Sequence, residues 1–173
     1  MQRIDSVGEI LVRVARPDDE AAVDRLLAAS FPRLSAKAYA PTELARALPV
    51  MTKANPRLLA SGSYFVAEAL DGLLVGAGGW TRERPGTGEI EDGLAHVRHF
   101  AVDADWGGRG IGRSLFGRCR DTARDSGIAR FECYATLNAE PFYAALGFSS
   151  VRRLEIMLAA ATPLPSVVMT FSL

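Results

Sequence analysis

Cysteine is scarce: Cys119 and Cys133 are the two in 173 residues. Two well-separated thiols give neither a disulfide framework nor a zinc spacing, and they read as reduced, structural groups. No metal is expected. An excess of one charge is also missing. Lys plus Arg number 20, as do Asp plus Glu, so the formal net charge is zero. A chain without a basic surplus is not expected to bind nucleic acid as its general function. No apolar run approaches the ~18 residues that a membrane span needs. Met1 to Ile10 carries Asp5 and Glu9 and lacks the apolar stretch of a signal peptide. These absences lead to the expectation of a cytoplasmic protein with no membrane partner.

What is present is an ordinary globular composition, 49% apolar and 23% charged, at a length that suits one domain over residues 1–173. Leu11 to Ala15 alternates as a first strand would, and Pro17-Asp18-Asp19 starts a helix through Leu26-Leu27. A second helix opens at Pro41-Thr42 and is expected to end at Asn55-Pro56. Ser63 to Leu70 and Leu73 to Trp80 flank Asp71-Gly72, a hairpin signal. After a polar loop from Thr81 to Gly93 come a strand (Ala95 to Val102), a helix (Gly110 to Asp125) and a strand (Ile128 to Ala135). Glu140 to Leu146 is a short helix ending at Gly147. Two tail strands follow, Phe148 to Leu158 and Ser166 to Leu173, with Pro163 and Pro165 in the turn between them. The order predicts an α/β (α+β) fold. Its mixed, mostly antiparallel twisted sheet has about seven strands flanked by about four helices, with one β-α-β crossover over residues 95 to 135. The tail hairpin is the candidate surface for a homodimer.

The main chemical signal is the run from His99 to Leu115, a strand, a glycine-rich loop and a helix. Gly107, Gly108, Gly110 and Gly112 let the backbone aim its N–H groups at one point. The helix that follows adds its unpaired amides and the positive end of its dipole, so the segment suits a phosphate. Arg109 and Arg113 can add charge-assisted bonds. The glycine order is wrong for G-x-G-x-x-G. It is a near miss for a P-loop, because Arg113 stands where that motif has lysine.

From Phe100 to Phe148 the sequence resembles the acetyl-CoA-binding core of the GNAT acetyltransferase superfamily. That family's loop pattern, [QR]-x-x-G-x-[GA], falls on Gly107 to Gly112, with Gly107 replacing the first residue. A second block, Phe142-Tyr143 followed by Gly147-Phe148, matches the family's aromatic-Tyr and Gly-Phe pairs, and Arg16-Pro17 with two aspartates resembles the family's start. The resemblance implies the acyl-CoA N-acyltransferase fold, with the two parallel strands splayed to admit the cofactor, and acetyl-CoA as cosubstrate. It implies that Phe100, Ala101 and Val102 pair with the pantetheine arm. The pyrophosphate would rest on the amides of Gly108, Arg109, Gly110, Ile111, Gly112 and Arg113. Tyr143 would protonate the departing thiolate and contact the cofactor. Asn138 is read first as the cap of the short helix and second as a cofactor contact.

An amine acceptor must also lose a proton. Glu68, His96, His99 and Glu132 all lie on strands and are the candidate bases, with His99 and Glu132 taken beside Tyr143 as the catalytic set. By parity His96 and His99 should face opposite sides of the sheet. Phe31 to Tyr39 and the Thr81–Gly93 loop are the candidate walls of the acceptor slot. The acidic residues of that loop, Glu83, Glu89, Glu91 and Asp92, would suit a cationic amine. The activity so implied is acetyl transfer to an unidentified primary amine in a ternary complex. The alternative is a non-catalytic acyl-CoA-binding or sensing module on the same fold.

Overall fold

The computed structural model describes residues 6–7, 10–158 and 162–173. Strands Ser6–Val7 (β1), Ile10–Val14 (β2), Tyr64–Ala69 (β3), Leu74–Thr81 (β4), Leu94–Val102 (β5), Arg130–Thr136 (β6), Ser149–Leu158 (β7) and Thr162–Ser172 (β8) form one sheet. Its order is β1-β2-β3-β4-β5-β6-β8-β7. Helices are Glu20–Ser35 (α1), Pro41–Met51 (α2), Pro56–Leu59 (α3), Ile111–Asp125 (α4) and Glu140–Leu146 (α5). The mixed sheet and the β-α-β crossover follow the sequence pattern, and the two elements beyond it, β1 and α3, are short. The helix starting at Pro41 stops at Met51 rather than at Asn55-Pro56. Asn55 instead caps α3, its side chain accepting from the Arg57 amide at 3.0 Å.

Alternation along the strands sends side chains to two faces. Phe65 and Ala67 of β3 and Phe131 and Cys133 of β6 pack with Ile111, Leu115 and Phe116 of α4 and with Tyr143 of α5. Tyr64 and Val66 of β3 and Ala101 of β5 pack on the opposite face with Val23, Leu27 and Phe31 of α1 and with Leu58 and Leu59 of α3. Asp19, at the head of α1, accepts the Arg16 amide at 2.7 Å, and Arg13 holds both of its oxygens at 2.8 Å. Among the described residues no helix is long and apolar enough to cross a membrane, and no group of His, Cys, Asp and Glu could hold a metal ion.

Pro163 and Pro165 lie inside β8, not in a turn: Pro163 pairs with Met157 and Pro165 with Glu155 of β7. The pairing of β8 with β6 begins only at Ser166, so the first residues of β8 have an edge free of any strand. The Pro165 carbonyl turns to that edge, where the Tyr39 hydroxyl donates to it at 2.7 Å. A residue's N and C=O share one edge of a strand, so the missing proline N–H removes no ladder bond.

One pairing positions the site. β5 and β6 are the parallel pair, and their register covers only Leu94–Arg130, Ala95–Phe131 and His96–Glu132. Past His96 the two strands part. β5 stays on β4 as far as Val102, and β6 stays on β8 as far as Thr136. A gap therefore opens in the middle of the sheet, with His96 and Glu132 at its fork.

Candidate active site

The first wall of the gap is the far half of β5. The Asp103 amide bonds the Val75 carbonyl at 2.9 Å, which fixes the direction of alternate backbone groups. Ala101 turns its peptide groups to Ala77 of β4, while those of Phe100 and Val102 point into the gap. The Ala101 side chain is buried against α1. Of the three residues expected to meet a pantetheine arm, Phe100 and Val102 present free backbone and Ala101 does not.

Beyond β5 the chain makes a tight turn at Ala104–Trp106, capped by the Asp103 carboxylate on the Asp105 amide at 2.8 Å. Gly108 and Gly110 then take φ of +74° and +77°, a region that side chains with a Cβ rarely occupy. The first helical bond of α4 runs from Ser114 to Gly110 at 3.0 Å. The amides of Ile111, Gly112 and Arg113 are therefore left as the donors of the helix N-terminus. Gly112 has a separate reason. A Cβ there would lie 2.5 Å from the Phe142 ring of α5, so only glycine lets α4 and α5 approach this closely. Ile111 is 2% exposed and faces the core. The Arg109 guanidinium lies over the Trp106 ring, 4.5 Å from the centroid.

Tyr143 is buried among Phe142, Phe148 and Phe100, with ring centroids at 5.1, 5.3 and 6.3 Å. Burial raises its pKa well above the usual phenol value, so the hydroxyl stays protonated and remains a donor at neutral pH. Cys119 and Cys133 are buried, and their pKa values are also pushed up by burial, which fits inert thiols. Asn138 is not the cap of α5. The N-cap is Ala139, with no side-chain cap bond, and Asn138 sits in the preceding 3-10 turn, Leu137–Ala139. Its Oδ1 is buried and has no hydrogen-bond partner. A buried polar atom without a partner fits a contact to a bound molecule better than a structural role.

The candidate acid–base groups are spread over β3, β5 and β6. Parity misplaced one histidine. Ala77 pairs with Ala101 and Gly79 with Arg98, so β5 spends one extra residue there, and His99 takes φ of +53°. An extra residue reverses the facing of everything beyond it. His96 and His99 consequently share the α1–α2 face. His99 stacks on Phe31 of α1 at 5.8 Å, and its Nε2 bonds the Met51 carbonyl at the end of α2 at 2.8 Å. Its own carbonyl accepts from the Tyr64 hydroxyl at 2.9 Å. Burial lowers its pKa. These contacts make His99 the clamp of the bulge, not a group free to take a substrate proton. Glu68 is bound to Arg13 at 2.7 Å on β3, two strands from the gap.

His96 and Glu132 remain. His96 is 2% exposed, and its Nδ1 lies 3.7 Å from Glu132 Oε1. Burial lowers the His96 pKa against the pull of Glu132, and Arg84 and Arg98 lower it further. Glu132 Oε1 is buried with no hydrogen-bond partner, a carboxylate oxygen held open at the fork.

The sequence marked Tyr39, Thr81 and Arg84 only as parts of the candidate walls and did not single out Arg98 or Tyr134. Thr81 pairs with His96 across β4–β5, and Arg98 Nη1 donates to its Oγ1 at 3.0 Å. Tyr134 packs 6.3 Å from the His96 ring, and its hydroxyl lies near both Glu132 and the Arg84 of the Thr81–Gly93 loop. Tyr39 accepts the Leu137 amide at 2.9 Å and so ties the end of β6 to the chain after α1. Period-two spacing from His96 to Arg98 and from Glu132 to Tyr134 was the signal available. The loop's acidity is partly cancelled, since Glu91 binds Arg130 at 2.7 Å and Glu89 lies 3.6 Å from Arg84.

A family model described as an acetyltransferase (GNAT) domain matches residues 35–156. No curated protein matches the sequence. Among solved structures, a GCN5-related N-acetyltransferase from Rhodopseudomonas palustris, also described as a class-II aminotransferase, is similar with a TM-score of 0.73. The identity is 22%, over 100% of this chain and 99% of that one. The PaiA N-acetyltransferase from Thermoplasma acidophilum, solved in complex with coenzyme A, is similar with a TM-score of 0.70 and 14% identity, over 96% and 100%. A GCN5-related N-acetyltransferase from Kribbella flavida is similar with a TM-score of 0.61 and 26% identity, over 97% and 100%.

Proposed function

The chain belongs to the GNAT acetyltransferase family, and from that premise we propose that it is an N-acetyltransferase that moves an acetyl group from acetyl-CoA to an amine. The observation that carries the proposal is the gap past His96 and Glu132, which runs between a backbone cradle and a buried tyrosine. The thioester supplies an activated acyl group. Phe100 and Val102 hold the pantetheine arm by strand-like pairing, and the amides of Gly108 to Arg113 receive the pyrophosphate. Asn138 Oδ1 accepts from the bound cosubstrate. A backbone N–H of β5 facing the gap stabilises the oxyanion.

The acceptor nitrogen attacks the thioester carbon, a C–N bond forms and the C–S bond breaks. Glu132, at the fork, takes the amine proton, with the neutral His96 3.7 Å away. Tyr143 donates its proton to the departing sulfur. One domain over residues 1–173 carries the activity, and the acceptor enters from the α1–α2 face.

A thermal-shift titration with acetyl-CoA, free CoA and Mg-ATP tests this reading. A ligand at ~100 times its Kd adds about 2.7 kcal/mol of stability. Stabilisation by both CoA species and not by Mg-ATP is expected. Stabilisation by Mg-ATP alone, or by none of the three, removes the assignment.

A further inference from the structure

Arg98 differs from Arg13 and Arg84, the other partly buried arginines near this side of the sheet, by what surrounds it. Arg13 is clamped between Asp19 and Glu68, and Arg84 lies between Glu89, Glu91 and Tyr134. Arg98, half-buried on the α1–α2 face of β5, makes one hydrogen bond among the described residues, to Thr81 Oγ1 at 3.0 Å. That hydroxyl is itself committed to the Glu83 carbonyl at 3.0 Å. No carboxylate of the described residues lies within 4 Å of the Arg98 guanidinium, and Glu83 acts on it only at longer range. A guanidinium has five donors in a planar fork suited to a carboxylate. None of the Arg98 nitrogens is both buried and without a partner, so its remaining donors stay within reach of solvent and of an incoming group.

The position is as informative as the missing partner. Arg98 and His96 are same-face neighbours on one strand, roughly 7 Å apart at two residues of rise. Glu132 Oε1, which makes no hydrogen bond, stands 3.7 Å from His96 Nδ1. The α1–α2 side of the fork thus presents an open acceptor for N–H and, on the same face, an open donor fork for an anion. Arg84 also lies near His96 but is paired with Glu89 and Glu91. The Arg98 guanidinium favours the neutral form of a nearby amine, which is the form that attacks.

We propose that Arg98 is a specificity-determining residue that binds a carboxylate carried by the acceptor, so that the acceptor class is an amino acid or similar amino carboxylate and not a simple amine or polyamine. The proposal rests on the acetyl-transfer reading of the fork.

The test is CoA release, followed with a thiol reagent, from acetyl-CoA and a panel of the standard amino acids. Phenylalanine, leucine and lysine are each set beside the amine that lacks the carboxylate: phenethylamine, isopentylamine and cadaverine. At least one amino acid is expected to turn over, and the amine matched to it to be worse in kcat/KM by about tenfold or more, the loss of one charge-assisted pair. Arg98→Met should raise KM for that amino acid by a similar factor and more than it lowers kcat. Arg98→Lys should recover part of the loss, and the stabilisation by acetyl-CoA should persist in both variants. Turnover of carboxylate-free amines alone overturns the proposal. So does an Arg98→Met enzyme with unchanged KM, or no turnover on the panel by a protein that acetyl-CoA stabilises. A protein that acetyl-CoA does not stabilise fails at the earlier reading instead.

Discussion

The two faces of β5 are built from different materials. Toward α4 and α5 the site is backbone and apolar rings: the groups of Phe100 and Val102 in the gap, the amides that open α4, and Phe142 and Tyr143 packed against Phe100. Toward α1 and α2 it is ionisable side chains: His96, Arg98 and His99 on one strand, Glu132 and Tyr134 on the next. A cradle of amides recognises phosphate and an extended arm whatever else is attached to them. An arrangement of charged side chains recognises one shape and charge pattern. The α4 face therefore suits the cosubstrate shared by a family, and the α1–α2 face suits the acceptor that is this chain's own.

The largest effect should come from breaking the α4 face alone. Gly112→Val forces a branched side chain to within 2.5 Å of the Phe142 ring. Overpacking of this kind costs about 1–3 kcal/mol, and the first turn of α4 must move. Calorimetry should show acetyl-CoA affinity lost by roughly 100-fold or more, with the far-UV spectrum retained. Unchanged affinity would mean that the cosubstrate does not use these amides.

Chemistry comes next, with one change on each face. Tyr143→Phe and Glu132→Gln should each lower kcat by about 100-fold, the usual contribution of a positioned acid or base. Both variants should bind acetyl-CoA as before. In the Glu132→Gln enzyme the rate should recover as pH rises, because more of the amine is already neutral; the Tyr143→Phe enzyme should show no such recovery. Identical pH profiles would erase the distinction between the faces.

The smallest effect is on stability and belongs to the α1–α2 face. Burial lowers the pKa of His96 and of His99 below the ordinary value of 6.5. The unfolded chain therefore takes up protons near pH 6.5 that the folded protein refuses. Stability should be constant from pH 8 to about 7, then fall as the pH drops through 6.5 toward the folded-state values. The slope is at most about 1.4 kcal/mol per pH unit per histidine. Asp19, held below its ordinary value of 3.8 chiefly by its bonds to Arg13, contributes only at lower pH. Urea midpoints between pH 8 and 5 should show the slope, and His99→Gln should reduce it. A flat profile would mean that neither histidine is held neutral.

The α4 face was legible in the linear chain because its demands fall on residue type. Positive φ at Gly108 and Gly110 and the close approach at Gly112 admit little besides glycine, and Phe142-Tyr143 with Gly147-Phe148 occurs as one contiguous block. The α1–α2 face was legible only as candidates. His96 and Glu132 come from strands far apart in the chain and meet because the parallel pairing ends on them. Arg98 stands out only once the positions of the carboxylates are known.

What the linear order of residues determined by itself is local. Periodicity set the strands and helices, the glycines set the cradle, and the zero net charge removed a general basic field. What only the tertiary structure decided is relational. One extra residue in β5 turned His99 onto the face of His96 and made it a clamp. The end of pairing at His96–Glu132 opened the gap, and packing left Asn138 Oδ1 and Glu132 Oε1 without hydrogen-bond partners. The physical reason is that periodicity and turn chemistry act over a few neighbouring residues. A bulge, a parting of strands and an unpaired charge are properties of contacts between segments that the sequence does not place side by side.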